Sequence, residues 1–171
     1  MFRLSCAMLF VLTVINVGMA AESKPPGPSF ANVSYGPYEE NVLDFWQADG
    51  DGPRPLLVYI HGGGWTGGDK QQKRERFQPF LDKGISYAAI NYRLTGKYPL
   101  PAPVHDAARA IQFLRTKAKE WNIDTAHIAL TGGSAGACTS MWRALTWKRL
   151  RLSERRRSSA GRCTSTYEAR A

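Results

Sequence analysis

The nine residues IALTGGSAG, Ile128 to Gly136, restrict the fold more than any other stretch of this chain. An apolar run reads as a short strand. Gly132 and Gly136 then bracket Ser134 in a G-x-S-x-G pattern, and the residues that follow read as a helix start. A turn from strand straight into helix is sharp, so the positions two before and two after the serine must be small. Such a turn lifts one hydroxyl above the end of a sheet. A chain built around it needs strands and helices in alternation.

That alternation is legible upstream. "LLVYI", from Leu56, is a continuous apolar run suited to a strand buried on both faces. Asp69 is placed to cap a helix over about 70 to 82, with Phe77, Phe80 and Leu81 as its apolar positions and Gly84 as its stop. "ISYAAINYRL" is the next strand. Residues 103 to 121 form a helix, in which Val104, Ala107, Ala108, Ile111 and Leu114 recur on one stripe. "HIALTGG" is the following strand. Before these, residues 32 to 48 hold two short runs around Gly36-Pro37 that read as an antiparallel hairpin. The expected fold class is α/β: a hairpin, then parallel βαβαβα with helices on both faces of the sheet.

A second motif sits where chemistry would need it. "HGGGW", His61 to Trp65, directly follows the strand ending at Ile60. Consecutive glycines let the N–H groups of Gly63 and Gly64 point into a site unobstructed, and the N–H of Ala135 starts a helix beside Ser134. Together these are oxyanion donors in waiting. His61 and Gly62 are expected to support this loop, with His61 holding it rather than acting as a base. Asp106 and His105 lie at a helix start, where capping or packing is the simpler role. His127 opens the elbow strand at the wrong end for catalysis. Trp65 either lines a pocket or packs over the loop. Cys138 is expected on a buried helix face as a free thiol.

With both motifs in place, residues 32 to 141 resemble the first half of an α/β-hydrolase of the hormone-sensitive-lipase-like carboxylesterase group, close to secreted bacterial acetylxylan and feruloyl esterases. The matching pieces are "HGGGWTGGDK", "AINYRL", "PAPVHDAARAIQFL" and "IALTGGSAG". The resemblance implies Ser134 as nucleophile, an oxyanion hole from Gly63, Gly64 and Ala135, and ester hydrolysis through an acyl-enzyme. It implies no metal and no organic cofactor, and a small-molecule or polysaccharide-linked ester as substrate.

The family pattern also needs an acid and a histidine after the serine. The last aspartate is Asp124 and the last histidine His127; only Glu154 and Glu168 are acidic beyond Ser134. The composition changes at the same place. Of the 30 residues from 142 to 171, 15 are Arg, Ser or Leu, the amino acids with six codons each. A shifted reading frame from about Met141 is the expectation, with 142–171 a disordered or out-of-frame tail and the chain poorly active by itself. The alternatives are a short genuine relative with a basic tail, or an artefact of splicing or assembly.

The charge follows this division. Residues 142–171 carry nine Lys+Arg against two acids, +7 of the total +9, so the body is nearly neutral. No nucleic-acid partner is expected. A non-enzymatic protein binding polyanions or anionic membrane through the tail is the competing function, carried by Arg155-Arg156-Arg157 alone. A dimer completing its sheet by edge pairing is a third. At the other end, residues 1–21 read as a secretory signal peptide: Arg3, an apolar run to about Val17, then Gly18, Ala20 and Ala21. The run is short of the roughly 20 residues a membrane span needs. An uncleaved anchor is the alternative to export into a secreted or periplasmic location. Residues 22–31, with "KPPGPS", read as a linker.

Overall fold

The computed structural model describes residues 27–71 and 74–143. The expected signal peptide and nearly all of the expected tail lie outside them. Strands β1 (Phe30–Ser34), β2 (Val42–Trp46) and β3 (Arg54–Ile60) are followed by the one-turn helix α1 (Gln78–Leu81), β4 (Ser86–Ile90), α2 (Ala102–Thr116) and β5 (Ile123–Gly132). Residues 135–143 are helical and are called α3. The strands form one sheet in the order β1-β2-β4-β3-β5. The β1–β2 and β2–β4 pairs are antiparallel; β4–β3 and β3–β5 are parallel. This is the expected hairpin followed by parallel βαβαβα, a partial α/β-hydrolase fold.

Successive side chains of a strand point to opposite faces, and β4 uses both. Ala88 and Ile90 join Leu43, Phe45, Leu56, Val58 and Ile60 under Ala107, Ala110 and Leu114 of α2. Tyr87 and Ala89 join Trp46 and Phe77 on the other face, with Phe80 and Leu81 of α1 beside them. The two crossover helices therefore lie on opposite faces. Each fully buried aliphatic side chain contributes about 1.5–3 kcal/mol relative to exposure. Two apolar layers, not one, hold the central strands.

The opposite placement of α1 and α2 has a consequence for function. From β3 the chain crosses to β4 on one side; from β4 it returns past β3 to β5 on the other. Open α/β sheets bind ligands at such a reversal, outside the carboxyl ends of the strands. Here those ends belong to β3 and β5, which run parallel with Ile60 beside Gly132. The loop opening at His61 and the turn carrying Ser134 thus leave the sheet side by side.

Several elements differ from expectation. The sheet starts at Phe30, inside the segment read as linker, because the Phe30 ring stacks on Trp121 with centroids 4.6 Å apart. The helix expected over about 70 to 82 is reduced to a 3-10 turn at Arg74–Arg76 and α1. Asp69 does not cap it. Its carboxylate instead accepts from the Gln71 N–H at 2.7 Å and from the Asn91 amide at 2.8 Å. Lys70 is drawn inward to a buried 2.7 Å ion pair with Asp44 of β2. Pro79, lacking an N–H, stands at the start of α1. The α2 helix stops at Thr116, short of 121, because Trp121 turns into the core and Asn122 adopts a left-handed φ of +55°. Cys138 is exposed rather than buried, since α3 turns Ala135, Thr139 and Ser140 inward.

Candidate active site

The elbow has the geometry its glycines suggest. Ser134 lies at φ +52°, a left-handed conformation that costs a non-glycine residue about 1–3 kcal/mol and persists only where its surroundings over-determine it. Two hydrogen bonds close the turn: Gly136 N–H to Gly133 O and Cys138 N–H to Ser134 O, both at 3.0 Å. A β-carbon on either Gly132 or Gly136 would collide with the carbonyl oxygen of Ile60. The strand-to-helix turn is packed directly on the end of β3, with no room for a side chain. Ser134 itself is exposed at the top of this turn.

The glycine loop lies against it. A β-carbon on Gly62 would stand 2.7 Å from the Gly133 oxygen and 3.5 Å from Ser134 Cβ, so the two motifs touch through backbone. Thr66 and Gly67 both donate N–H groups to Gly63 O, at 3.0 and 3.1 Å, curling the loop. Among the described residues, the N–H groups of Gly63, Gly64 and Ala135 donate to no backbone or side-chain acceptor. The structure thus brings together Gly62, Gly132, Ser134 and Gly136, with unspent donors in the loop and at the start of α3.

Two of the three histidines are engaged elsewhere, and the third is exposed on α2. His61 is only 3% exposed; its Nδ1 lies 2.8 Å from Gly62 O and its ring stacks on Tyr92 at 4.1 Å. His105 is an exposed residue of α2. His127 pairs with Asp124 at 2.6 Å near the start of β5, away from the strand end that carries Ser134. None hydrogen-bonds Ser134. Asp106 packs: it is fully buried and holds Arg93 through both carboxylate oxygens at 2.7 Å.

The BD-FAE family profile matches residues 43–167, most of the chain. The chain belongs to the BD-FAE family. The match takes in β2 to α3 and runs on into the basic segment after Trp142. A similar protein is the "Probable carboxylic ester hydrolase LipM" of Mycobacterium tuberculosis, 37% identical over 120 residues, which are 67% of this chain and 28% of LipM. "Esterase LipQ" of the same organism is 32% identical, over 66% of this chain and 29% of LipQ. Among solved structures, a truncated form of a carbohydrate esterase from gut microbiota superposes with TM-score 0.61 at 26% identity, covering 67% of this chain and 45% of that one. This BD-FAE chain spans less than a third of the length of those two curated relatives.

The site of this BD-FAE chain is anchored by partners that its sequence did not single out: Tyr92, Asn91, Thr95 and Thr139. Tyr92 donates its hydroxyl to His61 O at 2.8 Å, and burial pushes its pKa up to about 12, so it remains a donor. Asn91 holds the far end of the glycine loop through Asp69. Trp65 donates its indole N–H to Thr139 of α3 at 3.1 Å, and its carbonyl accepts from the N–H of Thr95 at 2.7 Å. None of these partners shares a local motif with the loop. Only the meeting of β4, α3 and the loop reveals them.

Burial holds the His61 imidazole below its ordinary basicity, against smaller opposing pulls from Gly62 O and the Asp69 carboxylate. The folded state therefore resists protonating His61. In the range below about pH 6.5 the unfolded chain binds more protons at this residue, so stability falls as pH falls. We expect the urea midpoint of the natural chain to drop more between about pH 7.5 and 5.5 than that of His61→Phe, which keeps a ring against Tyr92. Equal drops would remove His61 from the pH response.

Proposed function

We propose that this chain carries the nucleophile and oxyanion half of a secreted serine hydrolase of carboxylic esters, with Ser134 as nucleophile. The observation that carries the reading is the left-handed, exposed Ser134 beside the unspent N–H groups of Gly63, Gly64 and Ala135. Ser134 Oγ adds to the ester carbonyl carbon, and the developing oxyanion lies on those donors. The ester C–O bond then breaks, the alcohol leaves with a proton, and the acyl group stays on Ser134 until water releases it. Export follows from reading residues 1–21 as a signal peptide. The substrate class is a small-molecule or polysaccharide-linked ester, in keeping with a similar structure that is named a carbohydrate esterase.

The 171 residues hold no histidine or aspartate after Ser134. Without a base, oxyanion stabilisation and binding alone leave roughly 10³–10⁴-fold acceleration over water. Water release also needs a base, so the acyl group should persist on the serine. The test is incubation of the purified 171-residue chain with p-nitrophenyl acetate, followed by mass spectrometry of its peptides. Acetyl should accumulate on Ser134 ahead of every other serine, be absent in Ser134→Ala, and form faster when imidazole is added as an external base. Acetylation spread evenly over surface serines would sink the proposal. Fast multiple turnover would overturn the expectation of a poorly active chain.

A further inference from the structure

Trp65 is held by several hydrogen bonds in a conformation that the need for a Ser134 nucleophile does not explain. It is a bulky side chain at φ +60°, where glycine is the usual occupant. Its two neighbours on the N-terminal side, Gly63 and Gly64, share left-handed φ values of +102° and +61°. Three groups hold it there. Its carbonyl accepts from Thr95 twice, from N–H at 2.7 Å and from Oγ1 at 3.2 Å. Its indole Nε1–H donates to Thr139 Oγ1 at 3.1 Å, and that hydroxyl donates onward to Ala135 O at 2.9 Å. Thr139 is 1% exposed, so this relay is shielded from water.

The relay joins two things that must be in register. One end is the loop carrying the N–H groups of Gly63 and Gly64. The other end is Ala135, the residue that follows Ser134 and opens α3. A hydroxyl that both accepts and donates has one orientation satisfying both bonds, so the loop and the first turn of α3 are tied at a set separation. Bonds in series also polarise each other in a shielded setting. We infer that Trp65 and Thr139 act as a positioning pair: their relay through Ala135 O sets the spacing of the oxyanion donors around Ser134. Trp65 is thereby assigned neither to an ester pocket nor to packing alone. The inference rests on the Ser134 reading proposed above.

The test uses the same acetyl-transfer measurement on the intact chain. Trp65→Phe keeps the ring and loses the donor; Thr139→Val keeps the shape and loses the hydroxyl. Misplacing a catalytic group by about 1 Å can cost roughly 10²-fold, so a relaxed loop should slow acetylation of Ser134 about tenfold in each single variant. The double variant should be no slower than the slower single one, since either change breaks the whole relay. Ile111→Val, a core substitution in α2, serves as the stability control and should leave the rate unaltered. If the parent chain is not acetylated at Ser134, the nucleophile assignment fails first. If the parent is acetylated but both single variants match it, or slow only as much as Ile111→Val, the positioning role is overturned. Slowing that multiplies in the double variant would also overturn it, because the two side chains would then act separately.

Discussion

Replacing Asp106 by alanine is expected to destabilise the chain by about 3–5 kcal/mol, the cost of stranding one partner of a buried ion pair. The carboxylate is fully buried. It accepts from Arg93 Nε and Nη2, both at 2.7 Å, and from the Arg93 backbone N–H at 3.0 Å. Removing it leaves the Arg93 guanidinium with the ring faces of Tyr38 and Tyr98, 3.8 and 5.1 Å from the two centroids. An exposed aromatic face offers a cation about 0.5–1 kcal/mol, far less than a bidentate carboxylate supplies. The backbone N–H of Arg93 is orphaned as well. Asp106→Asn retains an acceptor and should cost less. Urea denaturation of the two variants and the natural chain orders them; a loss under about 1 kcal/mol for alanine would place the pair with surface salt bridges. The site should feel the change. Arg93 lies two residues before Thr95, which holds the Trp65 carbonyl, so Asp106→Ala should also slow acetyl transfer to Ser134.

Trp121→Ala is expected to cost a further and independent amount of about 3–5 kcal/mol, the range for deleting a buried tryptophan. Trp121 is 2% exposed and joins three elements. Its ring stacks on Phe30 of β1 at 4.6 Å, tilts against Phe45 of β2 at 4.9 Å, and meets Phe113 of α2 edge-on at 5.9 Å. Truncation would leave a cavity shared by the hairpin and the helix, and aromatic pairs add about 0.5–1.5 kcal/mol each beyond area. Trp121→Phe should recover much of the loss. Because Trp121 and Asp106 have different hydrogen-bond partners among the described residues, Glu120 and Arg93, the double variant should lose close to the sum of both. The clearest contrary result would be a cost for Trp121→Ala equal to that of an exposed residue.

The parts legible in the sequence are those governed by local chemistry. Gly132 and Gly136 had to be glycine because the turn packs them on the Ile60 carbonyl, and the spacing around Ser134 carries that requirement openly. The apolar run at Leu56 was readable because a strand covered on two faces needs apolar residues throughout, and the stripe along α2 because burial repeats with the helical period. The structure departs from the sequence expectation where side chains answer to distant partners. Asp69 looks like a helix cap in isolation, yet Asn91, twenty-two residues on, takes its carboxylate. Nothing in the residues around Lys70 signals its pairing with Asp44 in the interior. Phe30 looks like linker until Trp121 stacks on it.

By itself, the sequence determined that a serine stands on a glycine-bracketed strand-to-helix turn and that a glycine loop follows an earlier strand. Both are consequences of backbone sterics over a few residues, and they need no partner. Only the tertiary structure decided that those two turns meet. That follows from β3 lying between β4 and β5, an order no local pattern encodes. The same arrangement decided which polar groups around the site are engaged. His61 is buried on Tyr92, Asp106 is matched to Arg93, and Trp65 is hydrogen-bonded to Thr139, seventy-four residues away. A buried polar group must find a partner wherever the packed layers place one, and the layers are set by which faces meet.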